Sequence, residues 1–140
     1  MGGHKHIETC IGTYIAAHYN SAVEVGIGKN TVAAERIRDA GKNIRCTDIR
    51  KTVPDEDLNF VIDDIFEPEP GIYKGAEVIY AIRPGIEMMP PLISLARQLN
   101  ADLLVYHLGF ELYGDGGETL DCGVLLHRYY CREKPPKRVT

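Results

Sequence analysis

The chain has 140 residues and a mass of 15.6 kDa, which suits a single domain over 1–140. We expect flexible tails at 1–6 and 132–140. Sixteen Lys and Arg residues against twenty Asp and Glu residues give a net charge of −4, which does not favour a nucleic-acid binder. No apolar run is long enough to cross a membrane. The N-terminus lacks a secretory signal pattern, so we expect a cytoplasmic protein. The four cysteines lack the spacing of zinc ligands, so we expect free thiols and no metal.

Apolar periodicity and turn residues predict an alternation of helices and strands. Apolar positions at 7, 10, 11, 14 and 15 trace one face of a helix, and a glycine at 41 suits the end of a second helix. In chain order, the pattern predicts a helix over 7–18, a strand over 22–25, a helix over 30–40, strands over 43–47, 58–62 and 76–82, a helix over 89–99, and strands over 101–106 and 122–130. The segment 113–118 is expected to form a turn or a flexible excursion.

Helices that alternate with nearly continuous apolar strands predict an α/β fold. We expect a minimal doubly wound, Rossmann-like sheet of five or six mostly parallel strands, the last one antiparallel. The connections over 48–57 and 63–75 are too short for full crossover helices, so those helices should be missing or reduced to single turns. Part of the sheet would then lack its cover, which predicts a homodimer.

The segment 23–28, Val-Glu-Val-Gly-Ile-Gly, runs from a predicted strand into a predicted helix. Glycines in such a turn let a ligand approach the backbone, and the N-terminus of the helix offers free N–H groups. Asp48 follows the second strand, where a carboxylate can accept hydrogen bonds from both hydroxyls of a ribose. Gly26, Gly28 and Asp48 therefore predict a small-molecule ligand that contains a nucleoside.

Two nucleoside ligands fit this pattern. A dinucleotide site has a third glycine for close helix packing beneath the pyrophosphate, and Thr31 stands at that position here. Glu24 also suits the amino group of a methionine moiety better than a pyrophosphate. We therefore favour S-adenosylmethionine or a related adenosine ligand, with an NAD-binding oxidoreductase as the alternative.

These residues resemble those of the class I S-adenosylmethionine-dependent methyltransferases. The first motif of that class, an acid followed by x-G-x-G, matches Glu24, Gly26 and Gly28, and its second-strand acid matches Asp48. The class places a third acid near the adenine amino group, and this resemblance assigns that role to Asp64. The whole chain also resembles an uncharacterised archaeal family of short Rossmann-like proteins, uncharacterised protein family 0146. The resemblance implies a methyltransferase-like fold, with methyl transfer as a further expectation.

Other positions depart from the methyltransferase pattern. After strand four the chain has Ile-Arg-Pro-Gly over 82–85 in place of the [DN]-P-P-[YF] of many nucleic-acid amino-methyltransferases. Arg83 and His107 are the candidate catalytic residues. Arg83 would be unfavourable beside the positive sulfonium of the cofactor unless it faces a carboxylate or phosphate of a substrate. His107 follows the fifth strand at the edge where such folds bind ligands, and it could orient a substrate or act as a base. A non-catalytic module that senses a ligand or binds a partner is the second hypothesis.

The C-terminal segment is basic and predicts either a solubilising tail or an RNA contact. Its basic residues stand beside two tyrosines that could stack on bases. They are Arg128, Arg132, Lys134, Lys137 and Arg138.

Overall fold

A computed structural model describes residues 3–51 and 58–133, which form a central sheet with helices on both faces. In chain order the elements are α1 (Gly3–His18), β1 (Ser21–Val25), α2 (Val32–Asp39), β2 (Asn43–Asp48), β3 (Phe60–Ile62), α3 (Pro70–Tyr73), β4 (Val78–Ile82), α4 (Met89–Leu99), β5 (Asp102–Tyr106), β6 (Glu118–Asp121) and β7 (Leu125–Tyr130). A 3₁₀ turn over Ile86–Met88 precedes α4.

The sheet has the strand order β3-β2-β1-β4-β5-β7-β6. The first five strands are parallel, and β7 pairs antiparallel with both β5 and β6. The strand order reverses at β1, which lies between β2 and β4. Ligands of open α/β sheets bind beyond the carboxyl ends of the strands at such a reversal. The Rossmann-like, mostly parallel sheet and its antiparallel last strand are as predicted.

Two apolar layers bury the two faces of the sheet. Helices α1 and α2 cover one face, where Ile11, Ile15 and Ile37 are buried. Helix α4 and the single turn α3 cover the other face, where Leu92 and Tyr73 are buried. A Cβ atom at Gly12 would lie 2.8 Å from the carbonyl oxygen of Ala33, so the absence of a side chain there allows α1 and α2 to pack closely.

The reduced crossover between β3 and β4 is confirmed, because α3 is a single turn of four residues. The connection between β2 and β3 includes residues 52–57, which lie outside the described residues. The homodimer stays a prediction, as does the choice between a solubilising tail and an RNA contact.

The number of strands was predicted wrongly, since the sheet has seven strands where five or six were expected. Strand β6 (Glu118–Asp121) begins at the end of the segment expected to be a turn, and β7 begins only at Leu125. Strand β6 lies at the edge of the sheet with mostly exposed side chains. It therefore lacks the apolar run by which the other strands were found. A turn closed by the Cys122 N–H on the Val124 carbonyl separates it from β7.

At both ends of the described chain, residues in the segments expected to be tails form a helix or make polar contacts. Helix α1 begins at Gly3. The N–H of Arg132 donates to Asp102 Oδ1 at 2.6 Å, and the Arg132 guanidinium lies 3.3 Å from the Glu77 carboxylate. Residues 134–140, with three of the tail's basic residues, lie outside the described part.

The four cysteines are free thiols. No helix within the described residues combines the length and apolar character of a membrane span.

Candidate functional site

The loop after β1 is anchored directly on the end of β2. Gly26 has a φ of 72° and its N–H donates to the Thr47 carbonyl at 2.9 Å. Gly28 has a φ of 59° and its N–H donates to Asp48 Oδ2 at 2.8 Å. Positive φ values of this kind favour glycine. The structure thus brings together the glycine pair and the second-strand acid that the sequence singled out.

A cavity of about 270 Å³ opens beside this loop at the carboxyl ends of β1, β2 and β4. Four of the predicted site residues line it, namely Gly26, Asp48, Asp64 and Arg83. Its remaining walls come from the segments that follow β1, β2, β3 and β4, as the strand order requires. The lining residues are Val25, Gly26, Asp48, Ile49, Asp63, Asp64, Ile65, Phe66, Arg83, Pro84, Gly85 and Met88.

The two oxygens of the Asp48 carboxylate have different surroundings. Oδ2 accepts the Gly28 N–H at 2.8 Å, while Oδ1 lies 3.4 Å from the N–H of Arg50. A distance of 3.4 Å is long for an N–H···O bond, so Oδ1 retains acceptor capacity. Asp48 is half-buried and lines the cavity, which leaves that capacity available to a ligand.

Asp63 and Asp64, the two acids that follow β3, differ in their hydrogen bonds. Asp63 accepts a hydrogen bond from the Tyr73 hydroxyl at 2.5 Å and another from the Glu69 N–H at 3.2 Å, so both of its oxygens hold the single turn α3 in place. Asp64 uses Oδ1 to accept the Phe66 N–H at 2.9 Å. Within residues 3–51 and 58–133, Asp64 Oδ2 has no such partner, which makes Asp64 the member of the pair that can contact a ligand.

Two exposed apolar side chains stand at the mouth of the cavity. Ile49 follows β2 and Phe66 follows the acid pair, and both line the cavity while remaining exposed to solvent. Apolar groups beside a few polar ones are typical of a small-molecule site. Sequence reasoning missed both residues, although Ile49 directly follows Asp48 and Phe66 lies two residues after Asp64.

Glu24 does not line this cavity, and its placement differs from the expectation. Successive side chains of β1 point to opposite faces, and Val23 and Val25 pack toward α4. Glu24 therefore points toward α1, is 2% exposed and accepts a hydrogen bond from the Tyr80 hydroxyl at 2.7 Å. Burial raises the pKa of Glu24 to about 8, so the side chain is mostly protonated at neutral pH.

Arg83 is held by a buried partner from the first helix. Its guanidinium lies 2.7 Å from Glu8 Oε1, and Glu8 is fully buried. Arg83 has a φ of 55°, and its N–H donates to the Tyr106 carbonyl at 2.7 Å. Glu8 was not predicted, because nothing in the helix pattern indicates that its side chain reaches the end of β4.

His107 lies away from this cavity. It follows β5 and lines a separate cavity formed with the loop over 108–112 and with β7. The site residues therefore fall into two neighbouring groups. Gly26, Gly28, Asp48 and Asp64 surround the first cavity or its loop, and His107 belongs to the second.

The model of an uncharacterised protein family, UPF0146, matches residues 8–115. A UPF0146 protein of Archaeoglobus fulgidus is 37% identical over 106 residues, which cover 75% of this chain and 78% of that protein. A UPF0146 protein of Pyrococcus horikoshii is 42% identical over 90 residues, 61% of this chain and 69% of that protein.

Solved methyltransferases share the fold at low identity. The CcbJ methyltransferase from Streptomyces caelestis superposes with a TM-score of 0.55 at 16% identity, over 70% of this chain and 50% of that one. The plantazolicin methyltransferase BpumL, solved with SAH, gives 0.53 at 17% identity, over 76% of this chain and 47% of that one. The chain thus spans about half the length of these two enzymes. The fold is that of class I methyltransferases, and the chain belongs to family UPF0146.

Proposed function

We propose that the cavity beside the β1–α2 loop binds S-adenosylmethionine. The observation that carries this proposal is the contact between Gly28 and Asp48 at the mouth of a cavity that also contains Asp64. One acceptor oxygen of Asp48 remains for ribose hydroxyls, and one of Asp64 remains for an adenine amino group. Ile49 and Phe66 supply apolar surface for the faces of the adenine ring. When bound, the cofactor would supply an electrophilic methyl group.

The loop also suits the methionine end of this cofactor. A Cβ atom at Gly26 would lie 3.4 Å from Met88 Cε, so a side chain there would narrow the passage between the loop and the turn before α4. Arg83 is neutralised by Glu8 and so does not oppose the sulfonium charge as an isolated cation would. Asp48, Asp63 and Asp64 make the lining acidic, which favours a cation.

The start of α2 argues against a dinucleotide. A pyrophosphate binds the free N–H groups and the positive end of a helix dipole. Here the acidic Glu35 occupies the first turn of α2, and its carboxylate accepts the Thr31 hydroxyl at 2.6 Å. A second negative group at this position would be repelled, so S-adenosylmethionine is favoured over NAD.

Methyl transfer is the activity we infer from this binding. It requires an acceptor atom in line with the sulfonium methyl and little other side-chain chemistry. Binding without transfer would instead support the non-catalytic, ligand-sensing hypothesis.

Calorimetric titration of the full chain with S-adenosylmethionine and, separately, with NAD tests the proposal. We expect saturable binding of the first only. Asp48→Asn keeps an acceptor for Gly28 but removes the carboxylate oxygen offered to the ribose. This change should weaken binding by roughly 10- to 100-fold, as expected for loss of a hydrogen bond to a charged group.

Asp39→Asn is the matched control, because Asp39 is exposed at the end of α2 and the same charge is removed. It should leave the affinity unchanged. Equal affinities in the wild type and Asp48→Asn would remove Asp48 from the site, and absence of any S-adenosylmethionine binding would refute the proposed function.

A further inference from the structure

A second cavity of about 460 Å³ lies at the carboxyl end of β5, against β7. This volume is within the usual range of small-molecule sites, roughly 300 to 1,000 Å³. Apolar and aromatic side chains form much of its wall, with Phe110, Leu112 and Leu125 exposed to solvent around it. Exposed apolar groups gathered around a concave surface mark a site for an apolar partner or ligand.

His107 and His127 are buried polar residues of this cavity, and His107 has a ring nitrogen without a partner in the described part of the chain. It is 6% exposed, and among the described residues its Nδ1 is one of three buried side-chain polar atoms without a hydrogen-bond partner. The ring of His127, which also lines the cavity, lies 5.2 Å away edge-on, and its own Nδ1 is bonded to the Gly116 carbonyl at 2.8 Å. A buried polar atom without a partner is costly, so a ligand group that satisfies it would bind favourably.

The hydrogen bonds of Tyr129 determine which nitrogen of His107 carries the proton. The Tyr129 oxygen accepts the Tyr113 N–H at 3.2 Å and lies 2.5 Å from His107 Nε2. Burial raises the pKa of Tyr129, so its hydroxyl keeps its proton, and within the described chain His107 Nε2 is the acceptor for it. Burial, followed by the effect of His127, lowers the pKa of His107, which keeps the ring neutral. The one ring proton is therefore on Nδ1, which becomes a hydrogen-bond donor.

The second cavity is a neighbour of the first. Arg83 lines the first cavity and Tyr106 lines the second. Their backbones are joined by the 2.7 Å hydrogen bond between β4 and β5, and the Arg83 guanidinium lies over the Tyr106 ring at 5.3 Å. The two cavities are thus linked by the contact between one lining residue of each.

We propose that this second cavity binds an uncharged planar aromatic molecule, one ring heteroatom of which accepts a hydrogen bond from His107 Nδ1. The apolar walls favour the ring faces, and Glu111 in the lining disfavours an anion. The loop over 108–112 carries the exposed Phe110 and Leu112, which give it apolar surface to bury against the ligand. That this molecule is the methyl acceptor rests on the function proposed above, whereas its binding does not.

The test uses quinoline, a bicyclic ring with an acceptor nitrogen, and indole, which has similar size but only a donor N–H. Each is titrated into the ¹⁵N-labelled full chain, with amide and histidine side-chain nitrogens observed by NMR. Quinoline should give saturable shifts at residues 106–112 and 124–127 and at His107 Nδ1. Indole should bind about five- to tenfold more weakly, the factor expected for one neutral hydrogen bond. Absence of saturation with quinoline, or equal binding of indole, would overturn the proposal.

Three variants separate the hydrogen bond from the shape of the cavity. His107→Phe keeps a planar ring without a donor and should weaken quinoline binding about five- to tenfold, whereas His107→Asn places an amide N–H near Nδ1 and should restore most of the affinity. Leu112→Trp, at an exposed position of the wall, should block quinoline even if the histidine variants fold poorly. Unchanged quinoline affinity in Leu112→Trp would place the ligand elsewhere.

The same samples titrated with S-adenosylmethionine report on the first cavity through the amides of Gly26 and Asp48. Quinoline binding without S-adenosylmethionine binding would refute the proposed function alone. The reverse result would refute the second site alone.

Discussion

Replacement of Glu24 by Gln should remove a strong dependence of stability on pH. Glu24 is 2% exposed, and its carboxyl accepts the Tyr80 hydroxyl at 2.7 Å. Burial raises its pKa from 4.5 to about 8, with Glu8 adding to the effect. Above pH 4.5 the unfolded chain has lost this proton while the folded chain retains it. Unfolding therefore releases a proton, and a rise in pH favours the unfolded state.

The size of the effect follows from the two pKa values. The contribution of Glu24 is fully present below pH 4.5 and is lost as the pH rises to about 8. At about 1.4 kcal/mol for each pH unit, the free energy of unfolding should fall by about 4 kcal/mol between pH 5 and pH 9. This is a large share of the roughly 5–15 kcal/mol that stabilises a typical domain. Gln cannot ionise and still offers a carbonyl oxygen to Tyr80, so Glu24→Gln should lack this fall.

Urea denaturation at intervals from pH 5 to pH 9 measures the effect as the difference between the wild type and Glu24→Gln. Other groups titrate in both proteins, and subtraction removes their contribution. Glu67→Gln is the control, because Glu67 is exposed, and its curve should run parallel to that of the wild type. The reasoning is refuted if Glu24→Gln loses stability with pH as steeply as the wild type does.

Two further predictions concern Arg83 and Gly26. Arg83→Gln should lower the free energy of unfolding by about 3 kcal/mol in urea, because it leaves the buried Glu8 carboxylate without its cation. Adding Glu8→Gln should recover much of that loss, and a double variant as unstable as the single one would contradict this explanation. Gly26→Ala should destabilise the chain by about 1–2 kcal/mol through its positive φ and should also weaken S-adenosylmethionine binding in calorimetry, since the added carbon approaches Met88. Gly75→Ala, with a φ of 88° and no atoms within 4 Å of an added Cβ, should show the same destabilisation with unchanged binding, and a loss of binding in both would indicate general disruption.

Local patterns were sufficient for most of the fold. The helix predicted over 89–99 is α4 (Met89–Leu99), because its apolar positions repeat with the period of a helix and its prolines stand in the first turn. The buried strands were found from their apolar runs. Strand β6 was missed because it is an edge strand with exposed, mostly polar side chains, and its pairing with β7 comes from the chain reversal at 122–124.

In the candidate site, too, some features were predicted from local sequence patterns and others depend on contacts between distant residues. Gly26, Gly28 and Asp48 were predicted from their order along the chain, since strand-to-helix glycines and a second-strand acid meet wherever β1 and β2 are parallel neighbours. The choice of Asp64 agrees with the free carboxylate oxygen that it presents, and its contact with a ligand stays a prediction. The contact between Glu8 and Arg83 joins residues 75 positions apart, and no local pattern indicates it.

By itself, the sequence determined the alternation of elements, the parallel sheet and the edge at which the glycine loop and the acids gather, because these depend on periodicity and on residues close together in the chain. Only the tertiary structure decided that Glu24 points away from the cavity toward α1, that Asp63 supports α3 while Asp64 is free, and that His107 belongs to a second cavity. Each of these outcomes depends on which face of the sheet a helix covers and on which distant side chain supplies a hydrogen-bond partner, and that is set by packing between elements far apart in the chain.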